Sequence, residues 1–220
     1  VHAQSYSDML GAYVPDRERR EELMSAYTDE ERYPEVKAKV DWINEGFSYN
    51  DHRLARWTLT QAVTEGVMFS SSFPAMLYHR DGSMKQLKTA NNFIRNEEMN
   101  HLMAHGYIYQ QIPDNLSVEE TQRIIREGAE IEMAFGKKTL KNPIMAFTVD
   151  ELMQHVKSMA NFVCSSVGVP AIYLDENGAP VLTPLDFMNT YTTGSEHANF
   201  FERLAAYTNS WQPVDFSSVF

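Results

Sequence analysis

Glu98-Met99-Asn100-His101 is the stretch that most restricts what this chain can fold into. It lies in a run that reads as helix. A spacing of three places a carboxylate and an imidazole on one helix face, a single turn apart, where both can reach one metal ion. A lone glutamate, Glu65, lies 33 positions upstream (98 − 65) in another helical run. One Glu-x-x-His helix plus one carboxylate helix is half of the two-metal carboxylate site that four-helix bundles build in their cores. The other half requires a second Glu-x-x-His helix and a further carboxylate helix. Val1-His2-Ala3-Gln4-Ser5-Tyr6 reads as the remainder of such a helix, entered just after its Glu. The fold this demands is all-α, a helical bundle with its acidic and imidazole groups turned inward.

The rest of the chain is consistent with that demand. Residues 1–13 read as the end of a helix that stops before Pro15, and 16–50 as short helices and connections. A long helical run covers 52–79, with apolar positions at Leu54, Trp57, Val63, Val67 and Met68. Pro74 falls inside it and predicts a kink or local unwinding there. Asp81-Gly82-Ser83 marks a turn, and a second long helix is expected over 84–111. Ser117 with Glu120 three residues later is a helix-start pattern, and that helix runs to about 140. Another covers 149–167 and stops at Gly168, with Pro170 behind it. Asp175-Glu176-Asn177-Gly178 predicts a turn, as of a short hairpin. Residues 1–205 are thus expected to form one helical domain and 206–220 a mobile tail.

Bulk properties remove several classes of function. The 220 residues can enclose a substantial single core. A formal charge of −11, without clustered Lys and Arg, argues against nucleic acid as a partner. No run approaches the roughly 18 to 20 apolar residues of a membrane span. The single cysteine, Cys164, excludes an intrachain disulfide framework and suits a reducing, cytoplasmic setting. It lies among apolar residues on a helix and is expected to be buried and inert.

The surroundings of the acidic residues sharpen the metal reading. Glu65, Glu98, His101 and His2 offer the mixed oxygen and nitrogen donors that Fe(II) and Mn(II) accept. Phe69 and Phe73 follow Glu65 by four and eight residues, and Ile94 precedes Glu98 by four. On continuous helices these would wall the carboxylates with apolar surface. Tyr6, four after His2, faces the same way and is either a phenol oxidised by the metal centre or a hydrogen-bonded core tyrosine. His105 is placed as a third nitrogen donor or as a residue outside the ligand shell. His52, His79, His155 and His197 show no partner spacing, and Trp57 reads as core.

Taken together, these segments resemble the small, radical-generating subunit of class I ribonucleotide reductase, a ferritin-like di-metal carboxylate protein. His2-Ala3-Gln4-Ser5-Tyr6 is similar to the family helix in which the His binds iron and the Tyr holds the radical. Glu65 through Phe73 resembles the next ligand helix with its pocket phenylalanines, and Ile94 through His101 the segment ending in a bridging Glu and a His ligand. Asn199-Phe200-Phe201-Glu202-Arg203 resembles a family signature, and Tyr207 the tail tyrosine that relays the radical. The terminal segment Asp215-Phe216-Ser217-Ser218-Val219-Phe220 looks like the peptide that docks on the large subunit.

The resemblance implies two iron ions, two manganese ions or one of each. It implies a homodimer, a ribonucleotide reductase large subunit as partner, and dioxygen-dependent formation of a tyrosyl radical used to reduce ribonucleotides to deoxyribonucleotides for DNA replication. Glu65 and His101 would be terminal ligands, Glu98 a bridge and His2 the ligand from the first half.

The sequence departs from the family pattern in two places. The first carboxylate ligand and the Glu of the first Glu-x-x-His have no counterpart within these residues, so a separate polypeptide or a further stretch would have to supply them. Where the family has Arg-Asp-Glu, this chain reads Arg95-Asn96-Glu97-Glu98, which puts Glu97 at the place of the hydrogen-bonding Asp. Two other classes fit the same residues: another ferritin-like di-metal oxidase acting on its own small substrate, and a degenerate partner subunit that has lost the metal.

Overall fold

The computed structural model describes residues 2–78, 85–140 and 146–191, with the side chains of His2, Lys85, Gln86 and 189–191 outside that description. Eight α-helices account for most of these residues: α1 (His2–Tyr13), α2 (Arg17–Met24), α3 (Pro34–Ser48), α4 (Arg53–Gly66), α5 (Ser72–Leu77), α6 (Lys85–Gln110), α7 (Val118–Thr139) and α8 (Val149–Ser166). The protein is all-α; Leu174 and Pro180 form an isolated antiparallel bridge around the 175–178 turn.

Local chemistry sets most of the boundaries. The Asp16 carboxylate caps α2 by accepting from the Arg19 N–H at 2.7 Å. Pro34 opens α3, where its missing N–H has no helical partner to lose. The Ser117 hydroxyl accepts from the Glu120 N–H at 3.1 Å, as its spacing predicts. Thr148 and Glu151 form a reciprocal capping box at the start of α8. Gly168 takes a φ of +80°, a conformation that disfavours any side chain, and closes α8.

Two expectations need correction. Residues 16–50 include a 15-residue helix, α3, rather than short helices alone. The 52–79 run is interrupted, but not by Pro74. Residues 67–71 form turns, and Pro74 lies in the first turn of α5, where a proline is tolerated because no intrahelical donor is required. The break therefore falls immediately after Glu65-Gly66. The turn expected at 81–83, and the 206–220 tail, lie outside the described residues.

Two apolar clusters hold the bundle together. Leu59, Val63, Leu102, Ile125, Val156 and Val163 join α4, α6, α7 and α8 in one. Phe73, Leu77, Ile94, Leu152, Leu185 and Met188 join α5, α6, α8 and the segment after α8 in the other. Helices α4 and α6 run antiparallel, since Trp57 meets His105 while Glu65 lies against His101 further along. They approach closely at Gly66. A Cβ there would lie 2.7 Å from Val163 Cγ2 and 2.8 Å from Leu102 Cδ2. Asn161 of α8 ties down the chain beyond it, accepting from the Ile172 and Tyr173 N–H groups and donating to the Tyr173 carbonyl.

Candidate metal centre

Glu65 closes the last full turn of α4, and Glu98 and His101 occupy successive turns of one face of α6. The antiparallel register brings them together. One ligand atom from each of the three lies within 4.8 Å of the others. The His101 Nδ1 is 3.3 Å from a Glu98 carboxylate oxygen and 3.7 Å from one of Glu65. Glu98 is buried, Glu65 is partly buried, and 53 % of the His101 side chain is exposed. The cluster is therefore walled by the bundle on one side and open on the other.

Electrostatics argue that this cluster suits a cation. Burial, with a hydrogen bond and the charge of Glu98, pushes the Glu65 carboxyl up to about 8. Two carboxylates crowded into a half-dry site repel one another, and one retains a proton unless a positive ion neutralises both. Carboxylate oxygens with one imidazole nitrogen form a donor set for Fe(II) or Mn(II). The residues present thus fit such an ion.

Tyr6 of α1 points its hydroxyl at α6, where it donates to the side-chain amide oxygen Oδ1 of Asn91 at 3.1 Å. Burial and the nearby Glu98 charge push the phenol up to about 12, so it keeps its proton firmly. Asn91 is fully buried and is anchored by its own bond to the Leu87 carbonyl. Nothing in the sequence pattern had singled it out.

The apolar wall is built differently from the expected one. Phe73 and Ile94 are buried in the second cluster. Phe69 is not part of a dry wall: it is 38 % exposed, with its ring 6.2 Å from that of Phe73. The i to i+4 argument assumed an unbroken helix, and α4 ends before reaching it. Glu97, expected beside the site, is exposed, because one residue of helix turns it about 100° away from the Glu98–His101 face. Trp57, expected in the core, is 42 % exposed on the α4 stripe that carries Glu65, edge-on to His105. His105 lies between Trp57 and His101, and burial and His101 lower its pKa.

Cys164 is buried, as expected, and burial raises its thiol to about 11. His155 is a buried core residue bonded to Thr183. The backbone of His2 begins α1, but its side chain lies outside the described residues. So do His79, His197, the 199–203 segment, Tyr207, Asp215, Phe216 and Phe220.

Comparison with known proteins places this geometry. The family description "Ribonucleotide reductase, small chain" matches residues 1–180. The chain belongs to the ribonucleotide reductase small-chain family. A ribonucleoside-diphosphate reductase small chain of Ostreid herpesvirus 1 (isolate France) is 34 % identical over the whole chain, which covers 38 % of that relative. The subunit M2 of Danio rerio is 27 % identical over 92 % of the chain and 50 % of the relative. The chain therefore spans half or less of the length of these relatives. In three dimensions it is similar to a solved ribonucleotide reductase R2 subunit from Clostridium botulinum, with a TM-score of 0.70 and 22 % identity. That match covers 87 % of this chain and 62 % of the other, and supports the ferritin-like helical fold.

Among the described residues no helix is long and apolar enough to cross a membrane.

Proposed function

We propose that the chain serves a ribonucleoside-diphosphate reductase as metal-bearing small-subunit polypeptide, with a large subunit as its partner. The observation that carries this reading is the convergence of Glu65, Glu98 and His101, within 4.8 Å, in a chain of this family. Glu65, Glu98 and His101 would hold the metal from α4 and α6, and His2 would join them from α1. A first-half carboxylate and Glu come from a further segment or a separate polypeptide on the open side of the cluster. Two iron ions, two manganese ions or one of each, when bound, supply the oxidising power drawn from dioxygen.

The chain's own residues do the rest. Glu98 and Glu65 balance the charge of the ions, while Phe73 and Ile94 keep water from the inner side. Tyr6 is the phenol to be oxidised. Its proton is held at Oη against Asn91, so electron loss from Tyr6 must be matched by movement of that proton. Tyr207 passes the oxidising equivalent on. Residues 206–220, with Asp215, Phe216 and Phe220, dock on the large subunit. The part spanning residues 1–205 associates as a homodimer in the cytoplasm.

Reconstitution with a large subunit and the remaining ligand segment tests this reading. Removing the last eight residues is expected to abolish ribonucleotide reduction and leave metal uptake unchanged; unchanged turnover contradicts the docking role. Tyr6→Phe is expected to remove the tyrosyl radical signal from iron-loaded, air-exposed protein. A persisting signal contradicts the role of Tyr6. Metal analysis separates the rival readings, since a degenerate partner carries no ions. Capture of a large reductase subunit separates a reductase from another di-metal oxidase.

A further inference from the structure

Between α4 and α5 the backbone at 67–71 leaves the helical pattern; the Val67, Met68 and Ser70 N–H groups bond within the turns, while the Ser71 N–H and the Met68 carbonyl take partners from elsewhere. A buried ion pair supplies them. Glu132 of α7 is completely buried, and one of its carboxylate oxygens accepts both the Ser71 N–H, at 2.8 Å, and the Ser71 hydroxyl, at 2.5 Å. Its other oxygen lies 2.5 Å from the Lys39 ammonium of α3. Lys39 in turn donates to the Met68 carbonyl at 2.8 Å, and its Nζ lies 3.6 Å from the centre of the Phe135 ring. Gly136 leaves room for this approach, since a Cβ there would lie 2.9 Å from Ser71 Cβ.

We infer that Lys39 and Glu132 are a positioning pair for the metal site. Neither touches a ligand. Together they hold both ends of the joint, Met68 and Ser71, which lies between Glu65 and Phe73. The joint fixes where α4 stops, and so how far Glu65 reaches toward Glu98 and His101. A buried ion pair contributes little net stability compared with apolar residues of similar size, so stability alone does not account for it. Its fixed hydrogen bonds to an irregular backbone do account for it. This inference rests on the metal reading of the cluster.

Two uncharged variants of the 220-residue chain separate positioning from mere folding. K39M/E132Q keeps a carbonyl oxygen for Ser71, whereas K39M/E132M removes it at similar volume. Mn(II) binding is followed by electron paramagnetic resonance, amide exchange at 67–71 by mass spectrometry, and stability by thermal melting. The expected result is similar melting for the two variants. K39M/E132M binds Mn(II) at least tenfold more weakly than wild type and exchanges faster at 67–71, while K39M/E132Q, which loses the Lys39 hold on Met68 but keeps an acceptor for Ser71, binds about threefold more weakly than wild type. Equal Mn(II) binding by all three proteins, or equal loss in both variants, overturns the positioning role. If K39M/E132M does not fold, Ser71→Ala serves in its place, with at least threefold weaker binding expected and unchanged binding overturning the inference. A wild-type chain that takes up no Mn(II) contradicts the metal reading itself, and exchange at 67–71 then decides whether the pair holds the joint: unchanged exchange in K39M/E132M overturns that as well.

Discussion

Gly66→Ala puts helix propensity and packing in opposition at the residue that follows Glu65. Intrinsic propensity favours alanine over glycine in a helix by about 1 kcal/mol, so an isolated helix would gain stability. In the bundle the new methyl carbon would lie 2.7 Å from Val163 Cγ2 and 2.8 Å and 3.2 Å from the two Leu102 methyls. Carbon atoms in good contact sit about 3.5–4.0 Å apart, so the nearest neighbours must each move by roughly 1 Å. Val163 and Leu102 are both fully buried, so any retreat pushes on other core side chains. Overpacking of this kind costs about 1–3 kcal/mol. The propensity gain is reduced because Gly66 ends α4, leaving a net destabilisation of about 1–2 kcal/mol. At roughly 2–4 °C per kcal/mol for a chain of this size, melting should fall by about 2–8 °C. Circular dichroism melts of wild type, Gly66→Ala, Val163→Ala and the double variant complete the test. Because the two positions touch, the double variant should be more stable than the sum of the single changes, with a coupling of at least about 0.5 kcal/mol. A rise in melting temperature for Gly66→Ala, or additivity in the cycle, would refute the close-packing argument.

Three further outcomes follow from single groups. His155 is buried beside Arg95, which hold its pKa down at about 3 against an ordinary 6.5. The unfolded chain therefore gains a proton as pH falls below 6.5 while the folded imidazole stays neutral. Its contribution is intact above pH 6.5 and lost downward, by about 2 kcal/mol at pH 5 and about 4–5 kcal/mol near pH 3; urea midpoints of His155→Gln should fall less steeply with acid than those of wild type, and parallel curves contradict this. Thr148→Ala removes the hydroxyl half of the capping box at α8 and should cost about 0.5–2 kcal/mol in urea unfolding; an unchanged midpoint argues that the cap is idle. Asn161→Ala leaves the Ile172 and Tyr173 N–H groups without their acceptor, and amide exchange there should quicken markedly; unchanged protection shows that the segment is held by other contacts.

Much of the architecture was legible because it rests on local chemistry. Ser117 with Glu120, Gly168 with Pro170, and Pro15 behind the first helix are short-range signals, and each boundary fell where they point. The Glu65, Glu98 and His101 cluster was legible for a related reason, since spacing along α6 fixes two of its members on one face. The α4–α5 break was misplaced because Pro74 is the conspicuous residue, whereas the actual joint is held by Lys39 and Glu132 from elements far apart in sequence. Phe69 was misjudged by the same error, as a helical stripe was extended past a helix end. Asn91 and the Lys39–Glu132 pair carried no local signal. A buried asparagine and a buried ion pair look like surface residues until tertiary contacts show their partners.

The central claim is that Glu65, Glu98 and His101 hold a metal ion. Titrating the chain with Mn(II) and following the aquo-ion signal by electron paramagnetic resonance tests it most directly. The account predicts that wild type quenches the signal, and that Glu65→Gln and His101→Ala each bind at least tenfold more weakly while melting like wild type. Undiminished free Mn(II) in the presence of wild type, or equal binding by all three proteins, would contradict it.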